Sequence, residues 1–300
     1  MKKIIALLLL LTVCLSFCAC EFITGLVSSF TTTTSSTTVT TENQDPGENN
    51  NPPQSSKEMK AVLLLGQSNM AGRGDINSVE KIDDDRIFMM RNLEWTKMVE
   101  PIFTDKPEAG TGPASAFAKA YVETYNEKLG LIPAAVGGTS LADWAVGGNL
   151  YNNAVKMAKK ALEDADIIAI LWHQGESDTG TSGYGQKLTE IMLALYEELG
   201  LDTKTVPFIT GELFEQGPAS ESRDFIATPG SVNNALSKIK RFDLYAVVSG
   251  KGLRHKGDRS HLDAPSTRVL GYRYFVAYYE LVEGEDCPYM YSENLDSYLK

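Results

Sequence analysis

The chain has 300 residues, of which 43% are hydrophobic, 22% charged and 9% aromatic. This composition excludes a wholly disordered chain, which would combine low hydrophobicity with dense charge. It also excludes a membrane protein with several spans, because only one uncharged stretch is long enough to be considered as a membrane-spanning segment. The net charge of -11 repels phosphate backbones, so nucleic acid is not an expected partner.

The first twenty residues have the pattern of an export signal. Lys2 and Lys3 precede an apolar run over residues 4–17, and a positive start before a short apolar core is typical of a secretory signal peptide. The run is shorter than the roughly twenty residues that cross a bilayer as a helix, so a transmembrane anchor is the weaker alternative. We therefore predict a signal peptide over residues 1–20 and an exported protein.

The end of this segment resembles a bacterial lipobox, in which a cysteine receives lipid after cleavage. Ala19 and Cys20 match that pattern, whereas Phe17 and Cys18 depart from the usual aliphatic and small residues. We expect lipid attachment at Cys20, and through it an association with the bacterial membrane. Secretion with cleavage nearby and no lipid is the alternative.

A Thr-, Ser-, Asn- and Pro-rich stretch follows and shows no period that could bury a face. Such a composition does not offset the entropy of ordering, so residues 21–58 are predicted to be a flexible linker. A single folded domain is predicted over residues 59–300. Cys287 is the only cysteine in that domain, so it has no partner for an internal disulfide. The domain must therefore be stabilised by packing.

Continuous apolar runs alternate with helical patterns through this domain. Runs of this kind are typical of strands buried on both faces of a parallel sheet. Strands are predicted over residues 61–65, 132–136, 167–172, 206–210 and 244–248, and helices over 115–129, 152–165, 186–199 and 267–282. The alternation predicts an α/β fold with a doubly wound parallel sheet.

Small, polar and titratable residues follow these strands, at the edge where such sheets bind their ligands. The segments are GQSNMAG at 66–72, GGTS at 137–140, HQGESD at 173–178 and KGLRHKGDRSHL at 251–262. Ser68 lies in the first of them, and a serine hydroxyl becomes a nucleophile when a base, most often histidine, takes its proton. Asp258 precedes His261 by three residues, a spacing that lets a carboxylate reach the imidazole across a turn.

Other interpretations of these residues remain open from the sequence alone. Ser68 or Asn69 could cap a helix, and the 251–262 segment could be a solvated basic surface. His255 is a competing base, although Arg254 and Lys256 on either side disfavour the imidazolium that a base must become.

A metal site is a further alternative, with the ligands His173, Glu176, Asp258 and His261. It is the weaker interpretation, because no third histidine is well placed and it leaves Ser68 without a purpose. No metal and no other cofactor is predicted.

Together, the four motifs GQSNMAG, GGTS, WHQGESD and DRSH resemble the SGNH hydrolase superfamily. They are most similar to carbohydrate esterases of family six and to sialate O-acetylesterase-like domains, over roughly residues 60–281. The resemblance implies a flavodoxin-like three-layer α/β/α fold and hydrolysis of acetyl esters on carbohydrates.

The resemblance also implies roles for individual residues. Ser68 matches the nucleophile and His261 the general base. The N–H groups of Ser68 and Gly138 and the side chain of Gln174 match the oxyanion-stabilising positions. Asp258 and Glu176 both match acidic positions that could orient His261, and the sequence does not choose between them.

The expected substrate is an acetylated polysaccharide or oligosaccharide outside the cell. Acetylated xylan or a related hemicellulose is the leading expectation, and acetylated sialic acid is the alternative. Four aromatic residues could stack on sugar rings or be buried packing residues: Trp95, Trp144, Tyr151 and Tyr184. A non-catalytic surface module that binds glycans is the competing class of protein.

Overall fold

The computed structural model of the chain describes residues 57–214 and 230–288. The predicted signal peptide, with Cys20, and the predicted linker apart from its last two residues lie outside this range. Within the described ranges, no helix has both the length and the apolar character needed to cross a membrane.

The strands form one mixed sheet in which all but one of the neighbouring pairs are parallel. They are β1 Met59–Gly66, β2 Ile87–Arg91, β3 Glu94–Lys97, β4 Lys128–Pro133, β5 Ala165–His173, β6 Phe208–Gly211 and β7 Tyr245–Val248. The order across the sheet is β3-β2-β4-β1-β5-β6-β7, and the β2–β3 hairpin is the antiparallel pair. β1 therefore lies in the middle, between β4 and β5.

Helices cover both faces of this sheet. They are α1 Ser68–Ala71, α2 Ala114–Tyr125, α3 Asn149–Asp164, α4 Tyr184–Leu199, α5 Gly230–Leu236 and α6 Ala264–Glu283, with short 3₁₀ turns at Leu141–Trp144 and Glu176–Asp178. Val62 and Leu64 of β1 point into the core beneath α2 and α6, whereas Leu63 and Leu65 point into the core beneath α3 and α4. Both faces of β1 are buried, which explains its continuous apolar sequence and confirms the predicted three-layer α/β fold.

An aromatic cluster joins α2 to α6. Phe117 packs edge-to-face against Phe275 and Tyr278, with ring centroids 5.9 and 5.8 Å apart. Pairs of this geometry contribute about 0.5–1.5 kcal/mol beyond the area they bury. The cluster fixes α6 on the sheet, and with it the segment that immediately precedes α6.

Several predicted boundaries were wrong. The helix predicted over 115–129 ends at Tyr125, because Asn126 adopts the left-handed conformation with φ 53°. β4 then begins at Lys128 and ends at Pro133, before the end predicted at residue 136. The β2–β3 hairpin and the short helices α1 and α5 were not predicted, because each is too short to show a clear period.

Candidate active site

The turn after β1 carries Ser68 and depends on a close approach between two strands. Gly66 has φ 127°, and a Cβ atom there would lie 2.1 Å from the carbonyl oxygen of His173 at the end of β5. The N–H of Gln67 donates to that same oxygen at 2.9 Å. The chain then enters α1 at Ser68, whose side chain sits at the carboxyl edge of the central strand.

Ser68, His261 and Asp258 form a continuous hydrogen-bonded array. The Ser68 Oγ lies 3.1 Å from His261 Nε2, and His261 Nδ1 lies 2.7 Å from Asp258 Oδ2. Ser68 is only 5% exposed, whereas the side chains of His261 and Asp258 are partly exposed. With Nδ1–H donating to the carboxylate, Nε2 is left as an acceptor for the serine hydroxyl.

The local turn keeps Asp258 ionised. Burial acts to raise the pKa of this carboxyl, but the N–H groups of His261 and Ser260 and the imidazole of His261 outweigh it and lower the pKa to about 2. Both N–H groups donate to Asp258 Oδ1, at 2.9 and 3.0 Å. Asp258 thus shapes the loop with one oxygen and orients His261 with the other.

Asn69 holds the histidine loop from the opposite side. Its Oδ1 accepts from the N–H of Leu262 at 3.0 Å, and its Nδ2 donates to the carbonyl of Ser260 at 3.1 Å. These contacts flank His261 on both sides along the chain. Asn69 directly follows Ser68, so one residue fixes the position of His261 relative to Ser68.

Glu176 contacts Asn69 and not the imidazole of His261. Its Oε1 accepts from Asn69 Nδ2 at 2.5 Å, and burial raises the pKa of this carboxyl. His173 lies alongside, with Nε2 3.9 Å from Glu176 Oε1, and burial lowers its pKa to about 4. The sequence left open which of two acids contacts His261. In the structure Asp258 contacts His261, whereas Glu176 contacts Asn69.

The turn after β4 presents Gly138 to open space. Gly138 has φ 79°, and a Cβ atom added to it would meet nothing within 4 Å. The N–H of Val136 donates to the carbonyl of Gly66 at 3.0 Å, so this turn begins beside the segment that carries Ser68. Within residues 57–214 and 230–288, no hydrogen bond uses the N–H of Ser68 or of Gly138. Both amides are therefore available to an incoming oxygen.

Gln174 is placed differently from the role that the resemblance implies. It is fully buried, and its Nε2 contacts Asp178 Oδ2 at 2.6 Å, Gln67 Oε1 at 3.0 Å and the carbonyl of Thr139 at 3.2 Å. Two N–H groups already face three acceptors, and Tyr184 donates to Gln174 Oε1. In this conformation Gln174 ties together the loops around Ser68 and offers no amide N–H to an oxyanion.

The competing interpretations do not assemble a site. His255 Nδ1 accepts from the N–H of Gly257 at 2.9 Å, which makes this residue part of the turn. The four possible metal ligands fall into two separate pairs, His173 with Glu176 and Asp258 with His261. Among the described residues, no three such side chains converge as a metal site requires.

The aromatic residues considered for sugar stacking are packing residues in this structure. Trp144, Tyr151 and Tyr184 are each at most 3% exposed. Trp95 is half-buried on β3, where its ring packs over Gly130. The three buried rings, Trp144, Tyr151 and Tyr184, present no open face to a sugar.

The site also contains polar residues that sequence reasoning missed: Asn69, Arg73, Asp105 and Asp178. Asp178 Oδ2 accepts from the N–H of Leu141 at 2.8 Å as well as from Gln174. Asn69 and Asp178 lie inside the GQSNMAG and HQGESD motifs, so their position beside predicted site residues was a usable signal. Asp105 lies in a loop with no such signal.

A serine, a histidine and an aspartate aligned at the carboxyl edge of a parallel sheet define the constellation of a serine hydrolase. Residues 58–280 match the model of a family described as carbohydrate esterase, sialic acid-specific acetylesterase. The chain belongs to this family and is a carbohydrate esterase.

Known proteins similar to the chain agree with this assignment. A probable carbohydrate esterase of Arabidopsis thaliana is 29% identical over 242 residues, covering 72% of this chain and 88% of that protein. The crystal structure of an Arabidopsis thaliana protein superimposes with a TM-score of 0.66 at 26% identity, over 77% of this chain and all of the other.

Two further structures share the fold at lower identity. NanS gives a TM-score of 0.60 at 15% identity, over 77% of this chain and all of the other. A carbohydrate acetylesterase from Xanthomonas citri gives 0.53 at 16% identity, over 76% of this chain and 57% of that one. Both likenesses concern the fold alone and agree with the three-layer α/β arrangement of this chain.

Proposed function

We propose that the enzyme removes acetyl groups from carbohydrates through an acetyl-enzyme intermediate on Ser68. The observation that carries the proposal is the array from Ser68 Oγ through His261 to Asp258, with contacts of 3.1 and 2.7 Å. It supplies a nucleophile, a base and a carboxylate that sets the tautomer of the base.

In the first step, Ser68 Oγ attacks the acetyl carbonyl carbon while His261 Nε2 takes the hydroxyl proton. The negative charge that develops on the carbonyl oxygen is stabilised by the N–H groups of Ser68 and Gly138. His261 then protonates the departing sugar oxygen. Water attacks the acetyl-enzyme by the same route, releasing acetate and restoring the serine.

Replacing the nucleophile tests this assignment directly. Ser68→Ala should lower turnover of p-nitrophenyl acetate by at least about four orders of magnitude, because the covalent route is lost. Ser237→Ala, at a surface serine beyond α5, is the matched control and should behave as the wild type. Near-full activity in Ser68→Ala would overturn the proposal, and glycan binding without acetate release by the wild type would favour a non-catalytic glycan-binding module.

For the sugar, we propose acetylated xylan or a related neutral hemicellulose as the first candidate. A cleft of about 390 Å³ has walls that include Asp75, Glu108 and Lys256. Lys256 Nζ lies 3.7 Å from Asp258 Oδ2, so the cleft reaches the catalytic loop. Carboxylates along a wall suit the many hydroxyl donors of a neutral sugar.

Acetylated sialic acid is the second candidate, and a different feature favours it. The segment over 250–262 carries four cations and one acid, in a chain whose net charge is -11. Arg259, two residues from His261, is exposed, and no ion pair engages it among the described residues. A free guanidinium beside the base would bind a substrate carboxylate. The description of the matching family points to the same substrate.

Acetate release from the two substrates separates these candidates. If the substrate is acidic, Arg259→Gln should lower kcat/KM for acetylated sialic acid relative to that for p-nitrophenyl acetate by about tenfold. Lys251→Gln removes an exposed cation earlier in the same loop and should leave this ratio unchanged. Acetate release from acetylxylan, with no effect of Arg259→Gln, would instead assign a neutral substrate.

Export and lipid attachment complete the proposed function. The N-terminal pattern supports a cell-surface protein held to the bacterial membrane through Cys20, with secretion as the alternative. Metabolic labelling with a palmitate analogue tests it. The wild type should carry the label and Cys20→Ala should lose it, whereas an unlabelled wild type would indicate a secreted form.

A further inference from the structure

A buried ion pair between Arg73 and Asp105 lies behind the turn that carries Gly138. Arg73 Nη2 donates to Asp105 Oδ2 at 2.6 Å, and their side chains are only 2% and 4% exposed. Neither residue takes part in the chemistry proposed above. Placing both charges away from water carries a desolvation penalty, so the pair is weak evidence for stability alone and calls for a further explanation.

The pair connects the two segments from which the oxyanion-stabilising N–H groups come. Asp105 Oδ2 accepts from the N–H of Gly137 at 2.7 Å. Arg73 Nη1 donates to the carbonyl of Gly72, at the end of the helix that begins with Ser68, at 2.7 Å. One ion pair thus joins the residue next to Gly138 to the helix of the nucleophile.

The packing at this point leaves the turn no room to move towards the pair. A Cβ atom on Gly137 would lie 2.1 Å from Arg73 Nη2 and 3.0 Å from Asp105 Oδ2. On the other side of Gly138, the N–H of Leu141 donates to Asp178. Gly138 itself has open space around it. The orientation of its peptide group therefore depends on the hydrogen bonds of Gly137 to Asp105 and of Leu141 to Asp178.

We propose that Asp105, held by Arg73, is a positioning residue that aims the Gly138 N–H at the oxyanion of the reaction. This inference rests on the proposed serine esterase function. Oxyanion donors act through pre-set geometry, and losing one outright costs about 10²–10³ in kcat. Misaiming one donor should therefore lower kcat while leaving ground-state binding largely intact.

The test compares Asp105→Ala and Asp105→Asn with a matched buried ion pair. Arg268 pairs with Glu100 at 2.6 Å with side chains 5% and 7% exposed, and no contact of that pair involves the 137–141 turn. We expect kcat on p-nitrophenyl acetate to fall by about 10- to 100-fold in Asp105→Ala, with KM within twofold. Asp105→Asn retains an acceptor for the Gly137 N–H and should recover part of this loss. Glu100→Gln should retain the wild-type kcat.

A second readout distinguishes positioning from general loosening. Diethyl p-nitrophenyl phosphate gives a tetrahedral adduct on the serine whose oxygen occupies the oxyanion position. Its rate of inactivation should fall in parallel with kcat in both Asp105 variants and stay unchanged in Glu100→Gln. If Asp105→Ala does not fold, the Asp105→Asn measurements decide alone.

The possible results separate failure of this inference from failure of the proposed function. A wild type that hydrolyses acetyl esters and loses activity in Ser68→Ala, but keeps kcat within twofold in both Asp105 variants, overturns the positioning role alone. A loss confined to KM, or one matched by Glu100→Gln, also overturns it. Full activity in Ser68→Ala would overturn the proposed function itself.

Discussion

Asn69 offers a sharp test of how the histidine is held, through the substitution Asn69→Ala. The side chain is 1% exposed and serves two buried partners, the N–H of Leu262 and the carboxyl of Glu176. Each buried group left without a partner costs about 1–3 kcal/mol, so the free energy of unfolding should fall by about 2–6 kcal/mol. Ser260 is a half-buried residue, so its carbonyl is not counted in this sum.

The same substitution should reduce activity beyond its effect on stability. The Asn69 side chain holds the backbone on both sides of His261. Without it, His261 Nε2 is free to move away from its position 3.1 Å from Ser68 Oγ. A displacement of about 1 Å in a catalytic group costs on the order of 10²-fold. We therefore expect kcat on p-nitrophenyl acetate to fall about 100-fold, measured at a temperature where circular dichroism shows the variant to be folded.

The control is Asn233→Ala, at a residue that clamps backbone in the same way. Asn233 accepts from the N–H of Leu213 at 2.8 Å and donates to its carbonyl at 3.0 Å, with no contact to the catalytic array. Urea unfolding should show a loss of stability in both variants, but kcat should fall in Asn69→Ala alone. Equal kcat values for the two variants, or a loss below threefold in Asn69→Ala, would refute this reasoning.

Other predictions follow from single contacts. Asp258→Asn should lower kcat by about 10²–10⁴, since the imidazolium of His261 loses its carboxylate; a value within threefold of the wild type would assign the orienting role elsewhere. Because the pKa of Asp258 is lowered from 3.8 to about 2, its stabilising effect is complete above about pH 4 and is lost as the pH falls through 2. The difference in Tm between the wild type and Asp258→Asn should therefore be larger at pH 5 than at pH 2. Gly66→Ala should lower the free energy of unfolding by more than about 3 kcal/mol, because its Cβ would collide with the His173 carbonyl. Gly138→Ala, with the same sign of φ but open space, should cost about 1–2 kcal/mol, and equal losses at the two glycines would contradict this.

The central strands could be predicted because burial on both faces leaves a plain apolar signature. β1 and β5 have this signature, and their ends carry Gly66 and His173 where they were expected. The β2–β3 hairpin lacks it, since β3 is four residues long and mostly exposed. The formation of β3 depends on its pairing with β2, and no local sequence pattern indicates that pairing.

The array of Ser68, His261 and Asp258 could be anticipated because ligands of parallel sheets lie where the strands end. The position of Gln174 could not, since its amide is used by Asp178 and Gln67, which only the folded loops bring together. Asp105 was also invisible to pattern reasoning. Its partner Arg73 is 32 residues away in the chain, and the contact exists only once both loops are packed.

The distance along the chain between the nucleophile and the base has a consequence for the life of the enzyme. Ser68 and His261 are separated by 193 positions, and His261 lies just before α6. A growing chain therefore carries an inert serine until most of its domain has been made and α6 has docked. By the same logic, a single cut between β6 and His261 would place Ser68 and His261 on different fragments. Esterase activity should then end as soon as the fragments part, even while the strands around β1 stay folded.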